Sequence, residues 1–245
     1  LRHAGFGSPE VSAAADIWAV VPVKDTAAAK TRLAAAVPAG LRQGLALAML
    51  EDVLSALAGA RGLAGLLLVT IDPAARELAA RHGAHCIADG ARDGHTGAVM
   101  AAARRLASEG RGAMLTLPGD VPLVTAAEIE RLIAAHLPAP SFTIAPSHDE
   151  MGSNAILMSP PDAVTLRFGD DSFRPHLAAA RAAGIEPTIV PLPGIALDID
   201  NPADLAHFSQ LGSRTRAGLW LAQHAGLLAS AGFALPPVPG TRHPS

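Results

Sequence analysis

Short apolar runs rich in β-branched residues alternate along this chain with stretches of helical periodicity, and that alternation constrains the fold more than any other feature. Ile17-Trp-Ala-Val-Val-Pro-Val23 and Leu66-Leu-Leu-Val-Thr-Ile71 are continuous apolar runs, as strands buried on both faces require. Further strands are expected at His85 to Ala88, Ala113 to Leu117, Phe142 to Ala145, Ala155 to Met158 and Thr188 to Val190. Between them fall helical patterns at Leu41 to Leu57, after Asp72-Pro73, at Thr96 to Ala107, from Thr125 to His136, near Pro175 to Ala183, and after Asn201-Pro202. Asp72-Pro73 has the cap and first-turn proline of a helix start, and Thr125-Ala-Ala-Glu128 has the spacing of a capping box. Strands alternating with helices predict an α/β fold, a doubly wound, mostly parallel sheet covered on both faces. With no linker or repeat in evidence, one domain is expected over 16–211. A helical pattern at Arg216 to Leu228 and a Pro-rich end read as an appended helix and loose tail over 212–245, and residues 1–15 as a disordered extension.

Composition removes several function classes. No apolar run approaches the roughly 20 residues that span a bilayer. Leu1 to Asp16 lacks an apolar stretch followed by a cleavage site, which argues against secretion. Cys86 is the only cysteine, so an intramolecular disulfide and a cysteine-rich zinc site are excluded. A soluble, cytoplasmic protein is expected. The net charge is −3, aromatics make up 3% and tyrosine is absent. A basic face with stacking aromatics is therefore not foreseen, and a small molecule is a better partner than nucleic acid. Self-association is left open.

In an open α/β sheet, ligands sit beyond the carboxyl ends of the strands, and three polar clusters fall there. Lys24, Lys30 and Arg32 follow the first strand and suit a polyphosphate, although an ordinary solvated loop has the same composition. Neither GxxxxGK[ST] nor a dinucleotide fingerprint follows this strand. Asp120, behind Gly119 at the end of the fourth strand, reads as a hard-cation ligand or as a turn residue. Thr125 is placed to cap the next helix without it. Asp198-Ile199-Asp200 would turn both carboxylates to one side with Ile199 behind, unless Asp200 serves as the cap of the following helix. Met151-Gly-Ser-Asn154 and Phe168-Gly-Asp-Asp-Ser172 are turn-forming stretches suited to anions, the second through the N–H groups of a helix start. His176 in that helix reads as structural before catalytic. The Gly90 to Gly97 loop is a further candidate for a base or ribose contact.

Together the segments AVVPVKDTAAAKTRL (19–33), LPGDVPL (117–123), GSNAILMSPP (152–161), FGDDSFRPH (168–176) and LDIDNPADL (197–205) resemble the CofC/FbiD guanylyltransferases of coenzyme F420 biosynthesis, in family order across most of the chain. The resemblance implies a nucleotide-diphospho-sugar-transferase-like fold. It also implies transfer of GMP from GTP to 3-phospho-D-glycerate, phosphoenolpyruvate or 2-phospho-L-lactate, the first being the expected acceptor. It further implies Mg2+ held by Asp120, Asp198 and Asp200, acceptor contacts at Ser153, Gly169 and Ser172, and a basic loop of Lys24, Lys30 and Arg32. The chain departs from the family at Ser153, where threonine is usual, and at Gly94-His95-Thr96, where Gly-Leu-Asn is usual. Competing readings are a sugar-phosphate or molybdopterin-type nucleotidyltransferase of the same fold, a glycosyltransferase using Asp198-Ile-Asp200 as a metal motif, and a GTP-binding regulator without catalysis.

Overall fold

The computed structural model describes residues 16–28 and 30–236. The expectations for residues 1–15 and for the end of the tail lie outside them. Seven strands, β1 (Ile17–Pro22), β2 (Leu63–Val69), β3 (His85–Ile87), β4 (Ala113–Thr116), β5 (Ser141–Pro146), β6 (Ser153–Ser159) and β7 (Thr188–Ile189), form one sheet in the order β3-β2-β1-β4-β6-β5-β7. All run parallel except β6, which is antiparallel to both of its neighbours. The helices are α1 (Ala39–Gly59), α2 (Pro73–Arg81), α3 (Gly94–Ser108), α4 (Ala126–Ala134), α5 (Phe173–Ala182), α6 (Pro193–Ala196), α7 (Pro202–Gln210) and α8 (Arg216–Ser230).

The period of two in the strands divides the core. Ala19, Val21, Leu66 and Leu68 pack under α1, α2 and α4, while Val20, Leu67 and Val69 pack under α3 and the aromatic Phe142 side. Both faces of the inner strands are thus dry, which is why β1 and β2 read as unbroken apolar runs. The expected caps are present: the Asp72 carboxylate accepts from Ala75 N (2.9 Å), and Thr125 with Glu128 closes a capping box on α4. Several bounds move: β2 covers Leu63–Val69 rather than 66–71, and α3 starts at Gly94 rather than Thr96. α5 starts at Phe173 rather than Pro175, and the short α6 was not foreseen.

The helix after the α/β unit is α8, which lies on α1. Leu45 and Met49 of α1, Leu205 and Phe208 of α7, and Ala217, Leu221 and Leu228 of α8 share a third buried cluster. Gly44 allows the approach, since a Cβ there would come within 2.9 Å of the Trp220 indole nitrogen. Asp52 on α1 completes the joint. Its carboxylate accepts from Arg216 N (2.7 Å) and Ala217 N (2.9 Å), two donors that the start of α8 cannot satisfy internally. Replacing Asp52 by Ala should therefore lower stability by about 1 kcal/mol, with Asn recovering most of the loss because its amide oxygen still accepts. Thermal melts of the two variants check this.

Candidate active site

The polar clusters converge because of where strands end. Lys24 lies just past β1 and Asp120 just past β4, at the carboxyl edge of the parallel strands. The reversal of β6 brings its first residues, Ser153 and Asn154, to that same edge. The 197–200 segment is stitched to the loop after β4 by Ile199 N donating to Asp120 O (3.1 Å). A cavity of about 770 Å3 results, within the range of small-molecule sites. Lys24, Lys30, Arg32, Asp120, Ser153, Gly169, Ser172, Asp198 and Asp200 all line it. The expected alternation at 198–200 is present: Ile199 is fully buried while its neighbours face the cavity. Asp200 is not the cap of α7, because Asn201 takes that role by accepting from Ala203 N (2.8 Å) and Asp204 N (3.1 Å).

Lys30 occupies a different place from the one expected. Its ammonium donates to Asp120 Oδ2 (2.5 Å), Ile199 O (2.7 Å) and Asp200 Oδ1 (2.9 Å), with the side chain only 10% exposed. Burial draws that ammonium toward neutrality, but the two carboxylates outweigh it and hold its pKa above the ordinary value of 10.5. Burial likewise pushes the Asp200 carboxyl up, and Lys30, Arg32 and Lys24 more than reverse this, leaving it below the usual range. Asp198 has no such cation. Burial, followed by the charge of Asp120, raises its pKa, and a hydrogen bond from Asn154 Nδ2 (3.1 Å) only partly compensates.

The rest of the basic loop is more open. Arg32 is 68% exposed and reaches toward Asp170 (3.6 Å) and Asp200 (3.8 Å), and Lys24 is exposed at the cavity wall. The loop is anchored by Thr26, a residue not singled out in the sequence. Thr26 N and Oγ1 both donate to Asp72 Oδ2 (2.6 Å each), and Gln43 Nε2 donates to Thr26 Oγ1 (3.1 Å). Asp72 thus caps α2 with one oxygen and holds the basic loop with the other.

On the opposite wall the anion-binding expectation needs correction. Ser172 N and Phe173 N both donate to Met151 O (2.9 and 3.0 Å), and Ser153 N donates to Ser172 Oγ (3.1 Å). Those three N–H groups are spent within the protein, whereas Gly169 and the Ser153 and Ser172 hydroxyls line the cavity. His176 is buried, and burial together with the charge of His95 brings its pKa down to about 4, so it is neutral rather than an auxiliary cation. His95 stacks at a tilt on Phe168 (centroids 4.3 Å apart), and Phe168 N donates to Thr96 Oγ1 (3.0 Å). The start of α3 is thereby tied to the 168–172 loop.

The donor set fits a hard divalent cation. Asp120 Oδ1 is buried without a hydrogen-bond partner, and Asp198 is a desolvated carboxylate beside it in charge terms. The cavity sets Lys24, Lys30 and Arg32 against Asp25, Asp93, Asp120, Asp170, Asp198 and Asp200, so it is acidic in balance. Among the described residues no three ligand side chains surround a metal-sized gap, and the Lys30 ammonium stands between Asp120 and Asp200.

A doubly wound sheet with one reversed strand and a charged cleft at its carboxyl edge defines a nucleotidyltransferase-type fold. A putative nucleotide-diphospho-sugar transferase from Desulfovibrio desulfuricans shares it, with a TM-score of 0.71 at 20% identity over 89% of this chain and 98% of that one. A cytidylyltransferase from Leptospira borgpetersenii shares it with a TM-score of 0.56 at 11% identity, over 89% and 96% of the two chains. The family model described as guanylyl transferase CofC like matches residues 17–225, and the chain belongs to that family. A phosphoenolpyruvate guanylyltransferase of Rubrobacter xylanophilus is 40% identical over 80% of this chain and 95% of its own. A 3-phospho-D-glycerate guanylyltransferase of Colwellia psychrerythraea is 34% identical over 79% and 91%.

The Lys30 cluster has a pH signature. Asp200 is depressed by Lys30, so its contribution is present above the unfolded value near 3.8 and is lost as pH falls through the lower folded value. Lys30→Met should therefore destabilise the protein by about 3 kcal/mol at neutral pH, and the gap from wild type should shrink below about pH 4. Denaturant melts of both proteins at pH 7 and pH 3.5 measure the difference.

Proposed function

We propose that this protein transfers GMP from GTP to a small phosphorylated carboxylic acid with release of pyrophosphate. The observation that carries the proposal is the convergence of Asp120, Asp198 and Asp200 with Lys24, Lys30 and Arg32 on one cavity, in a chain of the guanylyl transferase CofC like family. In the reaction an acceptor phosphate oxygen attacks the α-phosphorus of GTP. A new P–O bond forms as the α–β anhydride bond breaks, and pyrophosphate leaves with the electron pair. The attacking oxygen is already anionic, which suits a cavity whose histidine, His95, is held toward neutrality by burial and supplies no strong base.

Lys24 and Arg32 are suited to the triphosphate, Arg32 through its bidentate fork. The triphosphate also competes with the carboxylates for Lys30, whose three present partners are all acceptors. Asp120 and Asp198, joined by Asp200 where Lys30 yields it, would hold Mg2+, which when bound supplies neutralisation of the triphosphate charge in this acidic cavity. Ser153, Ser172 and Gly169 are suited to the acceptor. Phosphoenolpyruvate stands first among acceptors, because relatives bearing that name reach 40% identity against 34% for the 3-phospho-D-glycerate enzyme. GTP and such acids are intracellular pools, so a cytoplasmic setting and a place in coenzyme F420 biosynthesis belong to the same proposal.

The test is pyrophosphate release from GTP and magnesium with phosphoenolpyruvate, 3-phospho-D-glycerate, 2-phospho-L-lactate and a sugar 1-phosphate. Turnover with at least one acid is expected, and turnover with the sugar phosphate alone would replace this reading with a sugar-nucleotide enzyme. Tight GTP binding without pyrophosphate release would instead favour a regulator. Asp120→Asn and Asp198→Asn should each cut turnover by about a hundredfold or more; Asp198→Asn should do so without lowering the melting temperature of the unliganded protein, whereas Asp120→Asn also weakens the Lys30 pair and lowers it. Lys24→Ala and Arg32→Ala should raise the KM for GTP about tenfold.

A further inference from the structure

The acceptor wall holds a buried chain of polar groups whose protons can be counted. Arg167 N donates to His176 Nε2 (3.0 Å). A backbone N–H can only donate, so Nε2 carries the lone pair. The ring, held neutral by burial, must then carry its proton on Nδ1, which lies 2.9 Å from Ser153 Oγ. Ser153 and Ser172 are themselves in contact: Ser153 N donates to Ser172 Oγ (3.1 Å) and the two hydroxyls are 3.3 Å apart.

The serine pair thus receives two protons from outside, one from His176 Nδ1 and one from the Ser153 backbone. One hydroxyl proton bridges the two oxygens. The other is left over, whichever way the bridge runs, and both serines line the cavity. Had His176 carried its proton on Nε2, Ser153 would have donated to Nδ1, and the one remaining hydroxyl proton would have been the one that bridges the pair. The tautomer decides whether the bridged pair has a proton to spare, and the peptide N–H of Arg167 decides the tautomer.

We infer that His176 is a positioning residue that commits the Ser153–Ser172 pair to offer one O–H donor to an anionic oxygen of the acceptor. This deepens the acceptor half of the proposed function and rests on it. It also gives the two serine hydroxyls a function that their spent backbone N–H groups cannot supply. Phe168 closes the other side of the imidazole edge-on, at 5.0 Å between centroids, which keeps the ring from turning.

Two substitutions separate the donor role from packing. In His176→Asn the amide nitrogen takes the place of Nδ1 and still donates to Ser153, although the contact to Arg167 is lost. In His176→Leu both are lost. The KM for the acceptor acid should stay within about threefold of wild type in the Asn variant and rise about tenfold or more in the Leu variant, with the KM for GTP unchanged in both. In a Ser153→Ala background, His176→Leu should add no further rise in acceptor KM.

Equal damage from Asn and Leu, or a Leu effect that persists undiminished without Ser153, would overturn the inference. Nitrogen-15 spectra of the unliganded wild-type protein should place the His176 proton on Nδ1, and a proton on Nε2 would overturn it as well, even if the Leu variant does not fold. Wild-type protein that transfers GMP to none of the acids refutes the proposed function and the acceptor half of this inference together, while the spectrum still decides the tautomer.

Discussion

The contact on which the site depends is the Lys30 ammonium lodged among Asp120, Asp200 and the Ile199 carbonyl. It joins the loop after β1 to segments 90 and 170 residues further along the chain. Carboxylates gathered at one edge of a sheet repel one another, and with little water to screen them the repulsion is large. A buried lysine between them is a compact solution, and it leaves Asp198 without a cation and one oxygen of Asp120 without a hydrogen-bond partner. The same cluster therefore stabilises the unliganded fold and marks where an added cation has most to gain. Charge here is local, since a chain with net charge −3 has no overall field to draw in a triphosphate.

Much of this was legible in the sequence for identifiable reasons. Strands buried on both faces show as unbroken apolar runs, and helix starts show in short-range chemistry, as at Asp72-Pro73 and Thr125 to Glu128. The i, i+2 rule placed Asp198 and Asp200 on one side and Ile199 in the core. The direction of β6 was not legible, because a run such as Ala155 to Met158 is the same whether its strand points up or down the sheet. Nor was the partner of Lys30, which depends on contacts across most of the chain length. Two of the N–H groups near Ser172 that were expected to face an anion are instead taken by a single competitor, the Met151 carbonyl. Thr26 carried no signal of its own, since its importance lies in the spare oxygen of the Asp72 cap.

The reversed strand also shapes the chemistry. A parallel β6 would have put Ser153 and Asn154 at the amino edge of the sheet, far from the basic loop. Because β5 and β6 instead meet through the 147–152 turn, the acceptor wall rises opposite the loop after β1, across the acids. Asn154 then links the walls, its two N–H donors shared among Ile195 O, Ala196 O and Asp198 Oδ1. One amide thereby fixes the height of an acid and the start of the strand that carries Ser153.

The departure at Gly94-His95-Thr96 acquires a physical meaning in this arrangement. The Thr96 hydroxyl accepts from Phe168 N, and the His95 ring leans on the Phe168 ring, so the start of α3 and the acceptor loop move as one piece. Phe168 in turn backs His176, which sets the proton of the Ser153–Ser172 pair. A ligand that shifts the start of α3 must therefore disturb the imidazole or carry it along. A column of three rings and one threonine hydroxyl thus runs from the start of α3 to the serine pair. Substitution at residue 95 or 96 is therefore expected to reach the acceptor wall through Phe168.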